Sequence, residues 1–427
     1  MSPIPSLIGF NEHNGQWFAE DIPLSQLAKQ FGTPLYVYSK EAICSAYRAY
    51  DVACIRTNGS RRARVHYAVK ANSNLAILDE LKQLGSGFDL VSGGELARVL
   101  RIGADPKSLV FAGVGKSTFE IKEALHVGVK CINVESIPEL HRINSVAKDL
   151  GLRAPISLRV NPDVDARTHP YISTGLKDNK FGIAYHEVLK TYREAATLSN
   201  IDIVGIDCHI GSQITSASPY LDALDKVLDL ITELKRDGIV IHHLDLGGGL
   251  GINYGSESPP DITAFTNTLL NRIDERGFDD LEVLLEPGRS LVGNAGILLT
   301  QVEYLKTGHD KNFCIVNAAM NDLMRPALYE AYHAIVPIES KPGKAIKYDV
   351  VGPVCESGDW LGKDRNLILQ EGDILAILSA GAYGFVMASN YNTRGRAAEV
   401  MVDGTQAHLV RDRETIDSLF ENERTIK

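Results

Sequence analysis

The sequence predicts an α/β plus β chain, with a (β/α)8 TIM-like barrel over residues 36–290 and a mainly antiparallel β domain formed by 1–35 and 291–427. Three observations predict it. From residue 64 to 290, short β-like apolar runs alternate with longer amphipathic ones. There are eight such runs, at 65–69, 87–91, 109–112, 131–134, 156–160, 203–209, 242–246 and 282–286. Beyond 290 the helical periodicity fades, and short β-like runs separated by turn residues take over. Eight β/α units in so short a stretch fit a barrel, which typically needs about 250 residues. An open doubly wound sheet is the structural competitor, and the count of eight favours closure.

Each element has its own warrant. The barrel runs are almost continuously apolar, as a sheet buried on both faces requires. Helical spacing of apolar residues predicts helices at 75–84, 95–101, 118–125, 137–150 and 221–235. Gln16–Ala19 reads as a strand and Leu24–Phe31 as a short helix, both expected to pack on the β domain. In that domain, strands are expected at 297–304, 313–316, 348–351, 374–378, 397–402 and 407–409, with a helical stretch at 325–333. The segment 161–184 is long and polar for a barrel loop, and 255–261 is irregular; long loops at a barrel mouth are often functional.

Composition narrows the function classes. A formal charge of −10 argues against a general affinity for nucleic acid or anionic membranes. No run approaches the ~20 apolar residues of a membrane span. The six cysteines form no CxxC pair, so no metal site is expected, and the reading is of reduced thiols in a cytoplasmic protein. No basic segment followed by an apolar run opens the chain, so no secretory signal is expected.

The chemistry gathers at the carboxyl ends of the predicted barrel strands, where barrel active sites lie. Lys70 ends the first strand and Asp89 the second. His209 ends the sixth, the glycine run Gly247, Gly248, Gly249 the seventh, and Glu286 the eighth. These are the parts needed to hold pyridoxal 5'-phosphate. Lys70 is placed to carry the cofactor covalently, and Gly247–Gly249 let backbone amides approach its phosphate. Gly288 and Arg289 are placed to close that cup, with Ser212 as a further donor. His209 reads either as a group stacked on the ring or as a satisfied core histidine.

Glu286 would keep the pyridine nitrogen protonated, which makes a strong electron sink and favours decarboxylation. Cys355, in the Gly/Pro turn region around Val350-Val351-Gly352-Pro353-Val354, reads either as a proton donor or as a plain buried cysteine. GxGxxG, P-loop, HExxH and GxSxG motifs are absent.

These residues lie in a longer series of motifs. They are Tyr67-Ala68-Val69-Lys70-Ala71-Asn72, Gly87-Phe88-Asp89-Leu90-Val91-Ser92, His209-Ile210-Gly211-Ser212-Gln213 and Leu244-Asp245-Leu246-Gly247-Gly248-Gly249. Glu286-Pro287-Gly288-Arg289, Arg325-Pro326-Ala327-Leu328-Tyr329, Cys355-Glu356-Ser357-Gly358-Asp359 and Gly381-Ala382-Tyr383-Gly384 follow. In that order the chain resembles the fold-type III pyridoxal-phosphate decarboxylases, most closely the diaminopimelate decarboxylase family, over nearly its whole length. The resemblance implies the alanine racemase/ornithine decarboxylase-like fold. It also implies decarboxylation of meso-2,6-diaminopimelate to L-lysine and CO2, the last step of lysine biosynthesis.

Under that resemblance, Lys70 and Cys355 are catalytic. Lys70, His209, Gly249, Glu286, Pro287, Gly288, Arg289 and Tyr383 bind the cofactor, and the rim reading adds Asp89, Ser212 and Gly248. Arg289, Arg325, Tyr329, Glu356 and Tyr383 contact the amino-acid substrate. The active unit is a homodimer, with Cys355 and Glu356 reaching the site of the second subunit. The segment 161–184, with His169 and Ser173-Thr174-Gly175, covers the site.

The substrate's second amino-carboxylate end fits the set, since arginine holds a carboxylate bidentately and Glu356 can accept from an ammonium. Relatives acting on ornithine or arginine lack Arg-Pro-Ala-Leu-Tyr and typically carry Asp after the cysteine. They are the alternative, with a non-catalytic pyridoxal-phosphate-binding protein and a racemase further off.

Overall fold

A computed structural model describes residues 4–165 and 179–426. Its strands close as the alternation predicts. We label the barrel strands β1 (Ala63–Ala68), β2 (Gly87–Leu90), β3 (Leu109–Phe111), β4 (Cys131–Val134), β5 (Ala154–Asn161), β6 (Ile201–Asp207), β7 (His243–Asp245) and β8 (Glu282–Leu285). Each pairs in parallel with the next, and β8 returns to β1 through Val283 opposite Ala63 and Leu285 opposite Val65. A two-residue strand, Ile183–Ala184, adds to the outer end of β5.

The helices start and stop where their sequences dictate. Ser117 caps Thr118–Val127 in a capping box with Glu120, and Gly128 ends that helix in the left-handed region. Ser92, Ser136, Asn74 and Asp261 cap four others through their side-chain oxygens. The helices Tyr185–Thr197 and Ile262–Glu275 complete the ring's crossovers.

The described residues divide into two compact units. The barrel unit comprises Ala46–Gly251 and Ser258–Ser290. The other unit takes the described residues up to Ser45, Ile252–Glu257 and those from Leu291 onward. Its main sheet is built on the long strand Gly296–Lys306, which pairs antiparallel with Leu35–Ser39, Phe313–Val316 and Ile374–Ile377. Leu35–Ser39 also runs parallel to Ala398–Asp403, and Phe313–Val316 parallel to Ile346–Val351. Strands at Ile335–Pro337, Trp360–Leu367 and Gln406–Arg411 complete it.

A small sheet of Phe10–His13, Gln16–Ala19 and Ile22–Pro23 leads into the helix Leu24–Phe31. Leu24, Leu27, Val37, Ile297, Leu299, Leu378 and Val400 form this unit's core, all fully buried.

Two details differ from expectation. The sequence boundary assigns residue 36 onward to the barrel, but Leu35–Ser39 is a central strand of the other unit's sheet. Its five residues are all buried, and an apolar run buried on both faces reads alike in either sheet. The helical stretch at 325–333 narrows to Arg325–Tyr329, because Glu330 turns to a φ of 52°. Of the loop 161–184, positions 166–178, which include His169 and Ser173-Thr174-Gly175, lie outside the described residues. Among the described residues no helix is long and apolar enough to cross a membrane.

Candidate active site

The carboxyl-terminal rim of the barrel collects the predicted residues. Lys70 sits in the tight turn Val69–Ala71 that follows β1. The register places Ala68 opposite Asp89 on β2, and Lys70 Nζ donates to Asp89 Oδ2 at 2.9 Å. Asp89 is fully buried, while the Lys70 side chain stays 35% exposed, so the amine is both held and reachable.

Across the rim, Gly247–Gly249 follow β7 and fold against the turns after β6 and β8. The Gly248 N–H donates to His209 Nδ1 at 3.1 Å, and the Glu286 N–H donates to the Gly247 carbonyl at 2.7 Å. A Cβ on Gly248 would lie 2.0 Å from the Glu286 carbonyl oxygen, and one on Gly249 2.2 Å from that of Gly211. Only glycine permits this approach, and it leaves the rim's backbone bare. Gly288 packs less tightly, its virtual Cβ 3.0 Å from that of Ala71, and the Pro287 carbonyl accepts from the Ala68 N–H at 3.1 Å. Arg289, buried in the next turn, donates from Nη2 to Ser212 Oγ at 3.0 Å. A guanidinium, a hydroxyl and side-chain-free backbone are the donors an anionic phosphate requires.

His209 is half-buried, and Nδ1 accepts a hydrogen bond, so a neutral ring carries its proton on Nε2. Burial, followed by the Arg159 and Lys70 charges, holds its pKa well below the ordinary imidazole value. It is therefore a neutral, oriented ring at physiological pH.

Glu286 ends β8 in a dense acidic neighbourhood. One carboxylate oxygen from each of Asp207, Asp245 and Glu286 lies within 4.8 Å of the others. Glu286 Oε1 is buried and accepts no N–H or O–H donor from the described residues. Burial first, then Asp245, Asp89 and Asp207, drive its pKa well above the usual carboxylate range, with Lys70 opposing. Burial likewise lifts Asp245 to about 6, against a 2.9 Å hydrogen bond from the Gly247 N–H. A buried acceptor with this surplus of negative neighbours suits a cationic N–H donor, which is what a protonated pyridine nitrogen offers.

The sequence reading missed the charges that frame this rim. Arg159 on β5, Asp207 on β6 and Asp245 on β7 are register partners in one layer. Arg159 Nη1 pairs with Glu135 at 2.8 Å, and its Nε stands 3.8 Å from Asp207. Glu95 was missed too. It accepts the Val91 N–H at 2.8 Å, and burial, with Asp89 adding to it, raises its pKa to about 7. A signal was present: single charged residues interrupt otherwise apolar strand ends, as in Leu158-Arg159-Val160 and Ile206-Asp207-Cys208.

The remaining predicted residues belong to the other unit. Arg325 is buried, Tyr329 and Tyr383 are half-buried, and Tyr383 holds a positive φ of 54°. Cys355 is exposed, which removes the buried-cysteine reading. Its turn is rigid nonetheless. The buried Asp359 accepts the Val354 and Met320 N–H groups, both at 2.7 Å, and Asn392 Oδ1 accepts the Cys355 N–H at 2.8 Å. Glu356 is also exposed.

Comparison with known proteins accounts for this rim. Residues 42–293 match the family model of the pyridoxal-dependent decarboxylase, pyridoxal binding domain. A diaminopimelate decarboxylase of Vibrio cholerae is 56% identical over 409 residues, covering 96% of this chain and 97% of its own. The chain belongs to the diaminopimelate decarboxylase family. A solved diaminopimelate decarboxylase from M. jannaschii, in complex with L-lysine, superposes with a TM-score of 0.93 at 40% identity over 98% of each chain. That of Helicobacter pylori, also with L-lysine, gives 0.88 at 42% identity over 93% of this chain and 98% of its own.

Diaminopimelate decarboxylase family membership makes pyridoxal phosphate the cofactor. The rim fits that group on its own evidence, through the buried acceptor of Glu286, the bare glycine backbone and the Arg289–Ser212 pair.

Proposed function

We infer that this chain decarboxylates meso-2,6-diaminopimelate to L-lysine and CO2, the closing step of lysine biosynthesis. The observation that carries the chemistry is Glu286, whose buried Oε1 accepts from no donor among the described residues, on the same rim as the Lys70–Asp89 pair. The observation that carries the substrate is the family, whose solved members named above hold L-lysine.

Pyridoxal phosphate supplies an electron sink that stabilises the negative charge left on the α-carbon when CO2 departs. The chain's residues do the rest. Lys70 would hold the cofactor, with Asp89 keeping its nitrogen in place. Glu286 would accept from the ring nitrogen. Arg289 and Ser212 would bind the phosphate, with the side-chain-free turns at Gly248–Gly249 and Gly288 leaving room for it and Pro287 shaping the last of them. His209 would offer the ring a neutral, oriented imidazole. Arg325, Arg289, Tyr329 and Tyr383 hold the substrate, Glu356 accepts from its distal ammonium, and Cys355 returns a proton to the α-carbon.

Cys355 and Glu356 are presented outward on a turn fixed by Asp359, which supports a homodimer in which they serve the partner's site. Six free thiols fit the reducing cytoplasm.

The test is direct. Purified protein supplied with pyridoxal phosphate and meso-2,6-diaminopimelate should release CO2 and L-lysine in equal amounts. Turnover of ornithine or arginine with none of diaminopimelate would overturn the substrate assignment. Mixing inactive Lys70→Ala and Cys355→Ala chains should restore activity if sites are shared between subunits; no restoration would remove the dimer proposal.

A further inference from the structure

Arg325 is held by a neutral partner. It begins the helix Arg325–Tyr329 and is 6% exposed. Its Nη1 lies 2.9 Å from His333 Nε2, and His333 Nδ1 lies 2.8 Å from the Leu378 carbonyl. The donors and acceptors fix the imidazole's state. A carbonyl only accepts, so Nδ1 carries a hydrogen. A guanidinium only donates, so Nε2 presents a lone pair. The ring that satisfies both contacts is neutral, with its one proton on Nδ1.

The surroundings leave this ring a single position. His333 is fully buried, and the Leu378 N–H donates to the adjacent Ala334 carbonyl at 2.9 Å. Arg365 Nη2 donates to the His333 carbonyl at 2.9 Å and stacks over Tyr332 at 4.0 Å. Tyr254, 3% exposed, places its ring 4.6 Å from the Arg325 guanidinium and edge-on to His333, at 5.2 Å and 78°. Glu257 Oε2 fixes the turn beneath it by accepting the Tyr254 and Gly255 N–H groups at 2.9 and 3.1 Å. One edge of the guanidinium is thus bound by an imidazole and one face by an aromatic ring. Neither contact brings a negative charge, whereas a carboxylate at position 333 would form an ion pair and offset the cation.

We propose that His333 is a positioning residue that orients Arg325, without neutralising it, as the receptor for the carboxylate the substrate keeps. This rests on the decarboxylase reading above and adds the residue that sets its selectivity for a carboxylate-bearing amine.

The test compares two ligands of the holoenzyme that differ in that group, L-lysine and cadaverine, the same diamine without the carboxylate. His333→Ala should weaken L-lysine inhibition and raise KM for diaminopimelate by about 10- to 100-fold, the scale of one hydrogen bond to a charged group. Inhibition by cadaverine and the visible absorbance of the bound cofactor should stay as in wild type. His333→Gln, whose amide can both accept and donate, should recover much of the L-lysine affinity. His333→Glu should fail as His333→Ala does.

His333→Ala or His333→Glu chains that hold L-lysine like wild type overturn the proposal alone. Equal loss of L-lysine and cadaverine also overturns it, since a merely structural role would weaken both. A wild-type holoenzyme that neither turns over diaminopimelate nor binds L-lysine overturns the decarboxylase reading, and this proposal with it.

Discussion

Replacing Glu286 with glutamine isolates the charge opposite the ring nitrogen from the shape of the site. Glutamine keeps the volume and an acceptor oxygen but removes the negative charge. In the wild-type chain the carboxylate is 6% exposed, and Asp245, Asp89 and Asp207 raise its pKa after burial has done so. Its partner in the working enzyme must therefore bring a positive charge. A hydrogen bond to a charged group contributes about 1.5–3 kcal/mol, or roughly 10- to 150-fold in cofactor affinity. Loss of a preorganised group that stabilises developing charge lowers kcat by about 10²–10³-fold.

Glu286→Gln should therefore bind pyridoxal phosphate more weakly, by spectroscopic titration, and decarboxylate slowly even when saturated. The cofactor-free chain should lose no thermal stability, because a neutral amide replaces a group crowded by acids. A variant that binds the cofactor and turns over like wild type would refute the electron-sink argument.

Three further outcomes are expected. Gly248→Ala places a Cβ 2.0 Å from the Glu286 carbonyl and should cost about 1–3 kcal/mol in denaturant unfolding while weakening the cofactor; an unchanged midpoint would mean the two turns part freely. Cys355→Ala should lower kcat by roughly 10²-fold or more. Because the thiol is exposed, its unfolding free energy should stay within about 0.5 kcal/mol of wild type. Burial raises the pKa of Asp322 from 3.8 to about 6, so the folded chain keeps a proton there that the unfolded chain releases. That stabilisation, up to about 3 kcal/mol, is complete below pH 4 and lost as pH rises through about 6. Asp322→Asn should flatten unfolding free energy against pH across that window, and an unaltered slope would contradict the assignment.

Sequence alone determined the barrel, the sheet-rich second unit and the rim positions of Lys70, Asp89, His209, Gly248, Gly249 and Glu286. These follow from local pattern. A buried parallel strand must be apolar, a rim residue follows where the run stops, and glycine is required where backbones meet. Tertiary structure decided what depends on a distant partner. Leu35–Ser39 is an apolar run like any barrel strand, and only its pairing with Gly296–Lys306 and Ala398–Asp403 assigns it to the other sheet. Arg159, Asp207 and Asp245 become one charged layer only when three strands align in register. Cys355 reads more readily as a buried cysteine from sequence, and only the turn held by Asp359 and Asn392 shows it exposed. The protonation of His333 follows from a carbonyl 45 residues away along the chain. Local periodicity records whether a side chain is covered; which group covers it is a matter of closure in three dimensions.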